Sequence, residues 1–179
     1  MTPESTPDRY GFVAVSIHWL SAILILVLLV SGFGAAGTDD VAAKAAALRI
    51  HLPIAALVLV LTALRIAWWL GFDLKPDPLP DVPGGLRESA ARVVHLLLYV
   101  VLLGMVASGI GMMLRSGAVP IVFGADPAAL PDFWRYRPRV PHGLGARLLV
   151  GLLTFHIAAA LYHHYIRRDG MLRRMWFTH

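Results

Sequence analysis

Cysteine is absent from the 179 residues. No disulfide can form, no thiolate can hold an iron–sulfur cluster, and covalent c-type haem attachment through C-x-x-C-H is excluded. Charge is scarce too. Only 15% of residues are Asp, Glu, Lys or Arg, against 58% apolar, a balance that a soluble domain does not carry. Lysine is rarer still, so the net charge of +5 comes almost wholly from arginine. There is no Lys/Arg-rich helix, no Gly-rich phosphate loop and no aromatic RNA platform, which argues against a nucleic-acid partner. Internal repeats and low-complexity runs are also missing.

What is present is four long apolar stretches, at about 13–34, 48–71, 93–114 and 144–166. Each matches the roughly 20 residues that a helix needs to cross hydrocarbon. None shows the short apolar core and small-residue cleavage site of a removable signal peptide. The pattern predicts an all-α integral membrane four-helix bundle, one domain over 1–179, embedded in a lipid bilayer.

Four spans place both termini on one side. That side carries Arg9, Lys75, Arg87, Arg92, Arg167, Arg168, Arg173 and Arg174; the other carries Lys44, Arg49, Arg115, Arg135, Arg137 and Arg139, a count of 8 against 6. Basic residues favour the cytoplasmic side, so the termini are expected there. The second loop, Asp73 to Gly85, is a proline-broken connector. The third, about Arg115 to Pro141, is the longest.

A histidine within a bilayer is costly and marks a functional-site hypothesis. His142 and His156 are 14 residues apart. Fourteen residues of helix return to nearly the same face, roughly 21 Å further along, which is room for two stacked haems. A spacing of seven, as from His156 to His163, gives only about 10 Å, too close for two macrocycles. Neutral imidazole is a good haem ligand, and bundle cores are where such sites are built. Matching depths across the spans suggest His51 with His142 for an outer haem, and His18 with His156 for an inner one. A single intramembrane histidine is readily a packing residue; four at two matched depths are harder to explain so.

Other polar groups have two readings each. His95 could rival His18 as a ligand, line a propionate or a quinone pocket, or sit at the interface. His163 and His164 are solvated interfacial rings or protonatable groups beside a quinone. Arg65 lies 14 residues after His51 and either snorkels or grips an inner-haem propionate. Arg147 could serve the outer haem likewise. Gly104, Gly109 and Gly111, with Ala107 and Ser108, make a small-residue surface suited to close helix packing or to a macrocycle. Arg115, Arg135, Arg137 and Arg139 crowd the side where basic residues are sparse, opposed there by Asp126 and Asp132. They are candidates for steering a small anion.

In order along the chain, Arg9-Tyr10-Gly11, Ser16-Ile17-His18-Trp19, Arg49-Ile50-His51 and His95-Leu-Leu-Leu-Tyr99 resemble the bacterial cytochrome b561 family. The stretch from Phe155-His156 through Tyr162-His163-His164 to Asp169-Gly170 and Met175 is the most specific match. The resemblance covers Arg9 to about Trp176. It implies two non-covalent b haems in a bacterial inner membrane, each bis-histidine ligated, with ligand positions at His18, His51, His142 and His156. Departures fall at Pro53, at Met105-Val-Ala-Ser108-Gly109 and at His142-Gly143, none of which removes a ligand. The resemblance further implies a superoxide oxidase, an oxidoreductase that turns superoxide into oxygen and passes the electrons to ubiquinone. The alternative it implies is a cytochrome b subunit that relays electrons from a redox protein partner, such as a hydrogenase or dehydrogenase, to quinone.

Overall fold

The computed structural model describes residues 2–74, 76, 86–124 and 126–177, with 86–88 as backbone only. Lys75, most of the second loop, the Arg87 side chain and His179 lie outside the described residues. The described chain is helical: α1 (Phe12–Ala36), α2 (Val41–Gly71), α3 (Leu86–Ser116), a short α4 (Val119–Phe123) and α5 (Arg139–Tyr162). Among the described residues four helices are long and apolar enough to cross a membrane: α1, α2, Ser89–Ser116 of α3, and α5 continued to Arg167.

Each helix overruns its apolar stretch. α2 starts before Leu48 because Val41 to Ala47 is mostly alanine, the best helix former. The Asp40 carboxylate also caps that end, accepting from the Ala42 N–H at 2.9 Å. α3 closes on Gly117, whose φ of 62° is the left-handed region and whose N–H reaches the Met113 carbonyl at 3.1 Å. α5 loosens into a π turn, His163–Arg167, and stops where Arg168 adopts φ 53°.

The chain forms two compact units, and each long helix contributes a segment to both. The terminal unit comprises Met1–Leu20, Leu61–Val100 and Leu149–His179. Asp73 is buried there, although the sequence reads it as part of a polar loop. Its carboxylate accepts from the Ser5 N–H at 2.7 Å, the Ser5 hydroxyl at 2.8 Å and Trp68 Nε1 at 2.9 Å. These bonds compensate the desolvation of the charge. They hold the N-terminal segment against the start of α1, where the Phe12 N–H finds the Thr2 carbonyl at 2.9 Å. Gly11 is obligatory at this point, since a methyl group would collide with the backbone of Pro3 and Glu4. The C-terminal turn docks through Trp19 Nε1, which donates to the Met175 carbonyl at 2.8 Å, with Trp176 edge-on to Trp19.

The central unit comprises Ser21–Val60 and Val101–Leu148. Ala35, Leu48 and Val122 form one core cluster, and Met112, Met113 and Ala118 another; Leu52 and Phe133 pack against both. The long third loop is thus folded rather than irregular. Arg49 ties it down by donating to the Val122 and Gly124 carbonyls at 2.6 and 2.8 Å. Asp126 and Asp132 cap its two 3-10 turns, Pro127–Ala129 and Phe133–Arg135. On α1 the outward stripe Ile23, Leu26, Val30, Phe33 is 46–75% exposed. Spacings of three and four place it on one helix face. Water would penalise that face; lipid tails would not.

Candidate functional site

In the central unit α2 presents His51 and α5 presents His142. Their ring centroids are 6.3 Å apart and their planes cross at 69°. A metal–imidazole bond is about 2 Å and a ring nitrogen lies about 1.2 Å from its ring centre, so two imidazoles that were to hold one iron between them would have centroids about 6.4 Å apart. The pair fits that requirement.

The second ring nitrogens fit as well. Ser31 Oγ on α1 donates to the Val27 carbonyl at 2.7 Å, so toward His51 Nδ1, 3.1 Å away, it accepts. On α5, His142 Nδ1 faces the Met105 carbonyl at 3.0 Å and Ser108 Oγ at 3.1 Å. A carbonyl only accepts, so Nδ1 carries the proton and Nε2 keeps its lone pair. Metal-binding histidines are oriented in this manner by their outer partners.

In the terminal unit α1 presents His18 and α5 presents His156, again 6.3 Å between centroids and tilted by 58°. His95 on α3 lies edge-on to His156 at 5.3 Å. That separation is too short for trans imidazoles, so of the two rings facing His156 only His18 meets the spacing. Arg65 on α2 is half-buried, its Nη2 3.1 Å from His18 Nδ1. A guanidinium only donates, so Nδ1 accepts here and the ring proton sits on Nε2. A metal at Nε2 requires the opposite tautomer. Arg65 and a metal therefore compete for His18, and the arginine needs another acceptor once Nε2 is engaged.

The remaining candidates have separate surroundings. His163 donates from Nδ1 to the Asp169 carboxylate, and His164 lies against the Tyr165 ring. Burial pushes the Asp169 carboxyl up, but hydrogen bonds from His163 and the Met171 N–H, with the Arg167 charge, outweigh it and hold the group below its usual range. Asp169 was not singled out in the sequence; its only signal there is its place in the closing motif.

Arg115 and Arg137 are exposed. Arg135 faces Asp132 at 3.6 Å, and Arg139 stacks over Trp134 at 4.4 Å. Arg139 and Arg147 each bring a guanidinium nitrogen within 4.0 Å of where a Gly143 Cβ would stand. The glycines of span three divide. Gly109 faces the His142 ring, Gly111 faces Pro138, and Gly104 faces open space.

Four membrane-crossing helices with imidazoles facing in pairs have the make-up of a multi-pass membrane cytochrome. Residues 9–178 match the family described as prokaryotic cytochrome b561, and the chain belongs to that family. It is therefore a membrane b-type cytochrome that transfers electrons, and the family implies binding of haem b. Among its relatives, "Cytochrome b561 homolog 2" of Escherichia coli strain K12 is 32% identical over 98% of this chain and 95% of its own length. "Probable superoxide oxidase CybB" of Yersinia pestis is 27% identical over 93% and 95%. "Cytochrome b562" of Cereibacter sphaeroides is 28% identical over 93% and 94%.

Proposed function

We propose that the chain holds two b haems, one between His18 and His156 and one between His51 and His142, and carries electrons from superoxide to a membrane quinone. The observation that carries the two-site reading is the recurrence of a 6.3 Å imidazole pair in both units, drawn from α1 and α5 in one and from α2 and α5 in the other. Haem b, when bound, supplies a reversible one-electron couple. The chain's own residues orient the imidazoles, keep apolar side chains toward lipid and offer cations at the periphery.

The balance suits two one-electron centres. Two superoxide anions each lose one electron to leave dioxygen, and the two electrons with two protons convert quinone to quinol. Superoxide is supported by the probable superoxide oxidase among the relatives and by the arginines of loop three, with Arg115, Arg135 and Arg137 exposed. Arg65 in the terminal unit and Arg147 in the central unit are the propionate partners in this reading. Arg139 joins Arg147, since two guanidiniums converging on Gly143 repel unless an anion lies nearby. The termini face the cytoplasm of a bacterial inner membrane, and quinone binds near His95, His163 and His164, where protons can be taken up from water.

Purified protein should show a Soret band with two haems per chain. In vesicles loaded with ubiquinone, superoxide should yield quinol at one per two superoxide consumed. One haem per chain would sink the two-site reading. Superoxide that leaves both haems oxidised would sink the substrate and favour a protein donor.

A further inference from the structure

The histidines of the central unit are held by the same dipeptide. On α1, Ser31 Oγ lies 3.1 Å from His51 Nδ1, and a Cβ added to the adjacent Gly32 would stand 3.0 Å from His51 Cε1. On α3, Ser108 Oγ lies 3.1 Å from His142 Nδ1, and a Cβ on Gly109 would stand 3.3 Å from His142 Cε1. Each serine thus bonds the Nδ1 corner of a ring while its glycine neighbour leaves space for the Cε1 edge. A third Ser-Gly pair, Ser116-Gly117, does ordinary work at a helix end, where Ser116 Oγ accepts from the Ala118 N–H and Gly117 takes positive φ. The first two are mid-helix, where glycine costs about 1 kcal/mol against alanine, and both face an imidazole.

Each ring also has a backbone partner beside its serine. His142 Nδ1 has the Met105 carbonyl at 3.0 Å besides the hydroxyl. His51 Nδ1 likewise has the Leu28 backbone as a hydrogen-bond partner besides the Ser31 hydroxyl at 3.1 Å. A hydrogen bond donated from Nδ1–H makes the ring a stronger donor through Nε2.

We propose that Ser31-Gly32 and Ser108-Gly109 are paired positioning residues that set tautomer and ring plane for His51 and His142. This rests on the reading of His51 and His142 as ligands to one haem. Potentiometry and ferric low-spin EPR of the purified haem-loaded protein test it. Ser31→Ala should shift one couple about tenfold toward the ferrous form, about 59 mV upward for one electron. Ser108→Ala should move the same couple in the same direction, since its ring loses the matching hydroxyl. Ser31→Thr, which keeps the hydroxyl, should restore the native potential. Gly32→Ala should change the largest EPR g-value of that haem by turning the ring, and Gly109→Ala should change it less.

If Ser31→Ala loses the haem while Ser31→Thr keeps it, the orienting role of the hydroxyl is supported in stronger form. Loss in both variants, or an unmoved potential in Ser31→Ala, overturns the proposal. His51→Ala on the same preparation keeps the two questions apart: two haems retained in that variant reject the ligand reading itself, whereas one haem lost leaves a silent Ser31→Ala counting against the cradle alone.

Discussion

Replacing Arg65 by leucine is expected to lower the midpoint potential of the haem proposed between His18 and His156. The guanidinium nitrogen is 3.1 Å from His18 Nδ1. Adding about 2.2 Å across the ring and about 2 Å from Nε2 to iron gives about 7 Å as the nearest approach of the charge to the metal, since the arginine turns to another acceptor once Nε2 is engaged. At an effective dielectric constant of about 20, a unit charge at that distance interacts with one added electron by about 2.4 kcal/mol. At 1.36 kcal/mol and 59 mV per tenfold change, that is about 100 mV for a one-electron couple. Arg65 is only half-buried, and solvent screening brings the expectation down to about 50–100 mV. The direction follows from charge: a nearby cation favours the reduced state, so its removal favours the oxidised one. Redox titration in detergent or nanodiscs, with both haems resolved by their α-bands, reads the shift directly. Arg65→Lys, which keeps the charge, should recover more than half of it. An unmoved or raised potential at unchanged haem content would refute the reasoning, and a shift confined to the other haem would refute the assignment of Arg65 to His18.

The ligand pairs predict a grouping: His18→Ala and His156→Ala should remove one spectral component, and His51→Ala and His142→Ala the other. If His18→Ala and His51→Ala abolish the same component, the pairing is wrong. Replacing the exposed Arg115, Arg135 and Arg137 together by Gln should slow stopped-flow reduction by superoxide about tenfold at low salt, with the difference shrinking as salt rises. Reduction by a neutral quinol should hardly change; a superoxide rate indifferent to both salt and substitution rejects anion steering. A photoreactive quinone analogue should label the stretch around His95, His163 or His164, and labelling confined to the loop-three residues would reject that location. The Asp169 carboxyl is held below its usual range, so its bond to His163 contributes fully above the ordinary carboxylate pKa and is lost as pH falls through the depressed value. Amide exchange at Met171, corrected for its intrinsic rate, should accelerate in that acid window, and Asp169→Asn should abolish the pH dependence.

Much of the fold is decided by the sequence alone, because membrane crossing is a property of a contiguous segment. Twenty apolar residues must satisfy their own backbone groups as a helix, and Phe12–Ala36 or Val41–Gly71 needs no partner to be recognised as such. The depth of each histidine follows from its position along its helix, so the pairings His18 with His156 and His51 with His142 could be written before any coordinates. The helix ends were less legible, since α2 is prolonged by alanines and an Asp40 cap that hydropathy does not register.

Side-chain direction is a different matter. The angular position of each helix depends on packing between residues far apart in sequence. Only the tertiary structure could therefore reveal that Arg65 points at His18 Nδ1, that His95 lies edge-on to His156, or that His163 turns to Asp169. Ser31 and His51 are 20 residues apart, and Ser108 and His142 are 34 apart. No local pattern marks such contacts, because a hydroxyl in an apolar span bonds its own helix carbonyl as readily as a neighbour's ring. Gly109 and Gly104 show the same limit. They share one small-residue run, yet one borders an imidazole and the other faces open space, a difference set by which side of α3 meets α5.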